Sequence, residues 1–245
     1  MLVKQKIKYI QSLGQKKFRH QEGLFIAEGP KLVEELLEAG PASVKEVYAV
    51  KEWMDDNQKL LAGVDTLEIS EIELEKISQL TTPNKVVAIV KQYDTGKSIT
   101  VKGRFTLVLD GIRDPGNLGT IIRIADWFGV EQIVCSGDSA EVYNPKVVQS
   151  TMGSIARVKV YYADLKEWLT SQKDVQIYAA SLEGQDVTTV KKNKEGIIII
   201  GNESKGISEE IMNLSNVKIT IPRKGRAESL NAAVATGIIL SYIIT

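Results

Sequence analysis

Three short stretches carry residue types able to do chemistry. The first, DGIRDPGNLGTIIR (110–123), directly follows the apolar run FTLVL (105–109). Gly116 and Gly119 permit a tight turn and close approach of backbone to a ligand, and Asn117 is placed to cap or precede a helix. Arg123 sits among apolar Ile122, Ile124 and Ala125, where its guanidinium is expected to be partly screened from water; it shares a helix face with Thr120 and Trp127. Such an arginine suits an anion or substrate contact, or a plain ion pair. The second stretch, GNESKG (201–206), leaves the apolar run GIIIIG, with Glu203 either a working carboxylate or a solvated loop acid. Ser208 is expected to cap the helix that follows, whose first turn holds Glu209 and Glu210. The third, IPRKGRAESLNAAVATG (221–237), offers Arg223, Lys224 and Arg226 to an anion, or merely to solvent, and Ser229 as a helix cap near Asn231.

Several chemistries are excluded. The Gly96-Lys97-Ser98 run has Lys91 where a phosphate-binding loop needs glycine, and the glycines at 116 and 119 do not match the dinucleotide fingerprint. Ser204 lacks the flanking glycines of a nucleophile elbow. The lone histidine, His20, stands in the N-terminal basic segment, so a histidine general base is not expected. The single cysteine, Cys135, rules out an intrachain disulfide and a cysteine-rich zinc site; in EQIVCSG it reads as buried and inert. No metal-ligand cluster is evident.

The elements that must position these stretches alternate. In the first half, GLFIAEG, VKEVYAV, DTLEI and KVVAIVKQY read as strands between helices at PKLVEELLEAG, KEWMDDNQKLLAG and EIELEKISQL, which predicts a small α/β domain with parallel pairing. Polar QYDTGKSITVKG (92–103) reads as a connector. The second half continues with strands FTLVLDG, EQIVCSG, VKVYYA, VQIYAAS, GIIIIG and VKITIP, with helices between them and one at the end; GIIIIG, apolar throughout, predicts a strand covered on both faces. The expected division is residues 1–95, a linker at 96–104, and 105–245.

Formal net charge is zero, so overall charge does not point to nucleic acid. Its distribution is uneven: Lys4, Lys6, Lys8, Lys16, Lys17 and Arg19 precede the first acid, Glu22, giving a segment that is either phosphate-binding or simply solvated. The basic N-terminus has no apolar core of a signal peptide, and AAVATGIILSYIIT is too short to span a bilayer. A soluble, cytoplasmic protein without membrane attachment is expected.

Taken in order, the three stretches resemble the motifs of the SpoU (TrmH) family of RNA ribose 2′-O-methyltransferases, of the SPOUT class. The resemblance covers about residues 105–245, and FIAEGPKLVEELLEAG is similar to the substrate-binding domain that often precedes the catalytic domain in rRNA-modifying members. It implies a parallel α/β domain with a C-terminal trefoil knot, S-adenosylmethionine as cofactor, a homodimer that completes the site, and no metal. By the same resemblance, Asn117, Arg123, Glu203, Ser229 and Asn231 form the catalytic set, while Gly201, Ile221 and Leu230 contact the cofactor. Lys16, Lys17, Arg19, Arg223 and Arg226 are the expected RNA contacts. A free guanidinium has a pKa above about 12, so Arg123 is expected to hold phosphate and orient the 2′-OH. Gln149 stands where the family often has arginine, which puts one substrate contact in doubt. An rRNA substrate is favoured over tRNA; a non-catalytic RNA-binding or assembly factor is the alternative from another class.

Overall fold

The computed structural model describes residues 2–96 and 98–244; Lys97, from the Gly-Lys-Ser run, lies outside them. The chain forms two compact units. One comprises the residues up to Asp94 together with Val142–Ala156, and the other comprises Thr95–Glu141 and the chain from Arg157 onward.

The first unit opens with two helices, α1 (Lys4–Ser12) and α2 (Lys16–Glu22), which the pattern of basic residues did not disclose. Strand β1 (Leu24–Glu28) leads to α3 (Pro30–Ala39), whose Pro30 occupies the first turn, where a missing N–H costs nothing. Then come β2 (Val44–Ala49), α4 (Lys51–Asp56), β3 (Thr66–Glu68), α5 (Glu71–Ile77) and β4 (Val86–Lys91). Ser70 and Glu73 form a reciprocal capping box that starts α5. The sheet order is β1-β4-β2-β3. Only β2 and β3 pair in parallel; β4 inserts antiparallel to both β1 and β2, so the expected all-parallel pairing is corrected to a mixed sheet. Alternation of strands and helices fixes the elements but not the order in which strands insert.

Arg19 is also corrected. It is 2% exposed, and its Nη1 donates to the carbonyls of Leu13 (3.1 Å) and Gly14 (2.7 Å), closing the turn between α1 and α2. A guanidinium committed there cannot meet a phosphate. Lys16 and Lys17 beside it are exposed.

Glu28, at the end of β1, is 5% exposed and accepts from Ser78 Oγ and from Gln79 N (2.9 Å). Burial pushes its carboxyl above the usual glutamate range, with the Ser78 and Gln79 hydrogen bonds opposing. The fold therefore favours the protonated form. Its contribution to stability is complete below the unfolded value of about 4.3 and is lost as pH rises through the folded pKa. Thermal melts of Glu28→Gln, which stays neutral, should accordingly show a smaller loss of stability between acid and neutral pH than wild type; an equal loss would refute the assignment.

The second unit contains β5 (Phe105–Asp110), α6 (Pro115–Trp127), β6 (Gln132–Cys135), β7 (Lys159–Tyr162), α8 (Leu165–Ser171), β8 (Ile177–Asp186), β9 (Gly196–Gly201), α9 (Glu209–Met212), β10 (Val217–Thr220) and α10 (Ala232–Ile243). The intervening helix α7 (Pro145–Thr151) belongs to the first unit. Six strands lie in the order β10-β8-β9-β5-β6-β7, every pair parallel, as expected of this half. The central β9 is buried along Gly196–Ile200, which is why its sequence is apolar without alternation. Cys135 is fully buried, and burial pushes its thiol well above the usual range. Among the described residues no helix is long and apolar enough to cross a membrane.

Candidate functional site

The strand order places a switch point inside the second sheet. From β5 the chain moves outward through β6 and β7, then returns to the other side of β5 with β8 and β9. Loops leaving the carboxyl ends of two strands that diverge in this way form the natural ligand crevice of an open parallel sheet. The strands in question are β5 and β9, whose last residues, Asp110 and Gly201, face each other in register. From these two ends leave the first and second chemically equipped stretches.

The first loop is built on a cap. Asp114 is the N-cap of α6, accepting from Asn117 N (2.8 Å), and Pro115 fills the first turn. Asn117 therefore does not cap; its backbone satisfies the cap and its side chain is released for other work. The Asp-Pro pair was a readable signal for this arrangement. Gly111, at φ +70, turns the chain, with its N–H held by Ser136 Oγ (2.8 Å). Ser136 also donates to Asp138 (2.7 Å), which pairs with Arg113 (2.6 Å). The Arg113 guanidinium, followed by the Ser136 hydroxyl, holds the Asp138 carboxyl below the usual aspartate range.

The second loop is a tight hairpin. Asn202 and Gly206 exchange backbone hydrogen bonds of 3.1 and 2.8 Å, and Asn202 Oδ1 accepts from Ser204 N and Lys205 N. Asn202 Nδ2 donates to Gly111 O (2.8 Å), tying the second loop to the first. Ser208 N and Oγ both donate to Asp110 Oδ2 at 2.8 Å. The expected Ser208 cap is thus corrected: it occupies the N-cap position but makes no side-chain cap bond, because Asp110 takes its hydroxyl. This Asp110–Ser208 clamp was missed because neither residue looks reactive on its own.

The third loop reaches the same point through Asn231. It, rather than Ser229, is the N-cap of α10, with Oδ1 accepting from Ala233 N (2.9 Å) and Val234 N (3.3 Å). Its remaining Nδ2 donates to Asn117 Oδ1 (2.9 Å), and Asn117 Nδ2 donates to Glu203. Residues 117, 203 and 231 thereby form one chain of hydrogen bonds across three loops. The amides of Asn117 and Asn231 each use donor and acceptor together, which fixes their orientation.

Other sequence-identified residues lie around this chain. Gly201 ends β9, and a side chain there would collide with backbone: an added Cβ would fall 2.2 Å from Ile207 N and 2.3 Å from Gly206 C. Ile221 follows β10 directly, and residues 222–230 are exposed without regular structure. Arg223 Nη1 donates to Ala227 O (3.3 Å), Arg226 and Ser229 are exposed, and Leu230 is 46% exposed.

Arg123 is exposed, which corrects the expectation of partial screening; Ile122 and Ala125 are buried and Ile124 half-buried, while Arg123 turns out. It lies six residues beyond Asn117 on α6, about 9 Å along the axis and roughly 120° around it. Within one chain, then, it does not point to the side where Asn117 meets Glu203 and Asn231. Four residues on, Trp127 is 85% exposed on Arg123's face.

Comparison with known proteins agrees with this geometry. The SpoU rRNA Methylase family matches residues 104–241. The chain belongs to that family. Its first half, residues 4–88, matches the MRM3-like substrate binding domain. The Bacillus subtilis 23S rRNA (guanosine(2553)-2′-O)-methyltransferase RlmP is 30% identical over 98% of this chain and 96% of its own length. The structure of an AdoMet-bound rRNA methyltransferase from Sinorhizobium meliloti superposes with a TM-score of 0.84 at 33% identity, covering 98% of this chain and 94% of that one. A TrmH/SpoU tRNA modifying enzyme from A. aeolicus, 31% identical, covers 58% of this chain and 74% of that one, with a TM-score of 0.50. The resemblance carried by the three stretches is therefore borne out, as is the α/β class with a parallel sheet.

Proposed function

We propose that this SpoU family protein transfers a methyl group from S-adenosylmethionine to a ribose 2′-OH of ribosomal RNA. The observation that carries the reading is the hydrogen-bonded chain from Glu203 through Asn117 to Asn231, assembled at the β5/β9 switch point. Relatives matched over nearly the whole chain are rRNA methyltransferases, whereas the tRNA-modifying relative matches over 58% of this chain. That contrast favours rRNA, and the first unit is the RNA-gripping part, with Lys16 and Lys17 as phosphate contacts.

The residues present suit the cofactor. Gly201 gives a side-chain-free strand end; Ile221 and the exposed 222–230 segment offer backbone groups, and half-exposed Leu230 offers an apolar surface to an adenine ring. S-adenosylmethionine, when bound there, supplies a methyl already activated on a sulfonium, so positioning is the main demand on the protein. Asn117 and Asn231 hold the three loops in one register. Glu203, accepting from Asn117, fixes that amide's orientation. Ser229, exposed just ahead of the α10 cap, supports the ribose, and Arg223 and Arg226 contact RNA phosphates. Arg123 binds an RNA phosphate and orients the 2′-OH, since a guanidinium does not give up its proton near neutral pH.

The protein works as a homodimer. Trp127 on α6 and both Val234 (51% exposed) and Tyr242 (45%) on the adjoining α10 are large apolar side chains left unburied in the single chain, as an interface would require. Arg123, which faces away from its own Asn117, then serves a site completed between two copies. The resemblance of the three stretches to the SpoU motifs implies that the chain around them is knotted.

Labelled S-adenosylmethionine incubated with separated unmodified rRNA and tRNA, then digested to nucleosides, tests the proposal. Label recovered as 2′-O-methylnucleoside from rRNA is expected. Label on a base, or on tRNA alone, would overturn it.

A further inference from the structure

The segment Val142–Ala156 lies within the stretch matched by the SpoU family, yet it folds as part of the first unit. It covers β1, the edge strand of the first sheet. Phe25 of β1 is fully buried; its ring stacks on Tyr143 with centroids 4.9 Å apart and leans against Tyr93 at 6.1 Å. Tyr93 N donates to Tyr143 Oη (2.8 Å). Val147, Val148 and Thr151 of α7 are buried. At Gly153 (φ +97) the arm runs so close to α3 that an added Cβ would stand 2.5 Å from Glu35 Cβ. This is core packing, not a draped loop.

Both roots of the arm are fastened to the element that bears the chemistry. Before it, Ala140 N donates to Ile112 O (2.8 Å), and Ser136 Oγ holds Gly111 N; these partners lie in the loop that launches α6. After it, Arg157 pairs with Asp126 of α6 (2.8 Å), one turn beyond Arg123. The two roots therefore grip α6 near its start and near its end.

We infer that the Val142–Ala156 arm is a positioning element for methyl transfer, setting the placement of Asn117 and Arg123 on α6, with Tyr143 as its anchor in the first unit. The inference rests on the reading that α6 takes part in methyl transfer and that the first unit grips RNA. An arm whose ends hold α6 and whose middle is core of the other unit makes the state of that unit felt at the reacting groups without touching substrate. Tyr143 accordingly acts through α6 and is not itself catalytic.

The test uses the full chain with Tyr143→Ala, which removes ring and hydroxyl, and Tyr143→Phe, which keeps the ring stack. At saturating RNA the alanine variant should lose about 10–100-fold in kcat, the scale of a displacement of roughly 1 Å at a reacting group. Its S-adenosylmethionine and RNA affinities should stay close to wild type, and Tyr143→Phe should recover most of the rate. Hydrogen exchange, which needs no RNA, should accelerate in Tyr143→Ala over residues 142–156 and also over 111–117. Faster exchange confined to the arm, or a wild-type kcat in Tyr143→Ala, would overturn the inference. Should the alanine variant fail to fold, Tyr143→Leu, which keeps apolar bulk but loses the ring stack on Phe25, decides: faster exchange at 111–117 supports the coupling, and unchanged exchange there refutes it. Wild-type protein inert toward every RNA would instead sink the proposed function, leaving the exchange data to judge the arm.

Discussion

Arg123→Ala should lose about 10²–10³-fold in methyl transfer, the cost of removing one preorganised charge-stabilising donor from a reaction site, while binding S-adenosylmethionine as wild type does. The side chain is exposed, and among the described residues it has no hydrogen bond or ion pair, so its removal leaves no buried group unsatisfied. Stability should accordingly change little. Arg123→Lys separates charge from shape: if the planar fork holds phosphate and hydroxyl together, lysine restores only a small part of the rate. Single-turnover transfer paired with calorimetric cofactor titration reads both effects. Equal loss of cofactor binding and rate would place Arg123 at the cofactor instead, and an unimpaired variant would remove it from the site.

A substitution at Gly201 should act through the opposite route. Here the added methyl meets backbone atoms of Gly206 and Ile207 at 2.2–2.6 Å, not the tip of a flexible side chain. Gly201→Ala must therefore push the 202–206 hairpin away from β9, opening the Asn202–Gly206 bridge and drawing Glu203 from Asn117. Overpacking of this kind costs roughly 1–3 kcal/mol. A lower Tm is expected together with loss of S-adenosylmethionine binding, measured by thermal unfolding with and without cofactor: wild type gains stability on adding it, and the variant gains little. If Gly201→Ala melts as wild type and is equally protected, the hairpin tolerates the shift and Gly201 has no special part in the site.

The contrast shows which features the sequence alone could disclose. Arg123 was legible as a cation within an apolar helix, because residue type and spacing carry that much. Its exposure was not, since Ile122 and Ala125 turn toward the core while Arg123 turns away, and only the packing of α6 decides which face is which. The Asp114-Pro115 cap was written in the chain but was overshadowed by Asn117, the more eligible-looking residue. Arg19 illustrates the same limit in reverse: a cation in a basic run reads as solvent-facing until the turn between α1 and α2 supplies two carbonyls for it.

By itself the sequence determined the alternation of strands and helices, the unbroken apolar β9, the inert cysteine and, through three ordered motifs, membership of the SpoU family. These rest on local periodicity and on residue identity along one line of chain. The tertiary structure decided where β4 inserts, that α7 joins the first unit, and that Asn117, Glu203 and Asn231 meet. Each depends on contacts between residues far apart in sequence, 86 and 114 positions for the two side-chain hydrogen bonds of Asn117. Local pattern cannot specify such pairings. They are fixed when the parallel sheet brings the ends of β5 and β9 together and packs α10 against α6.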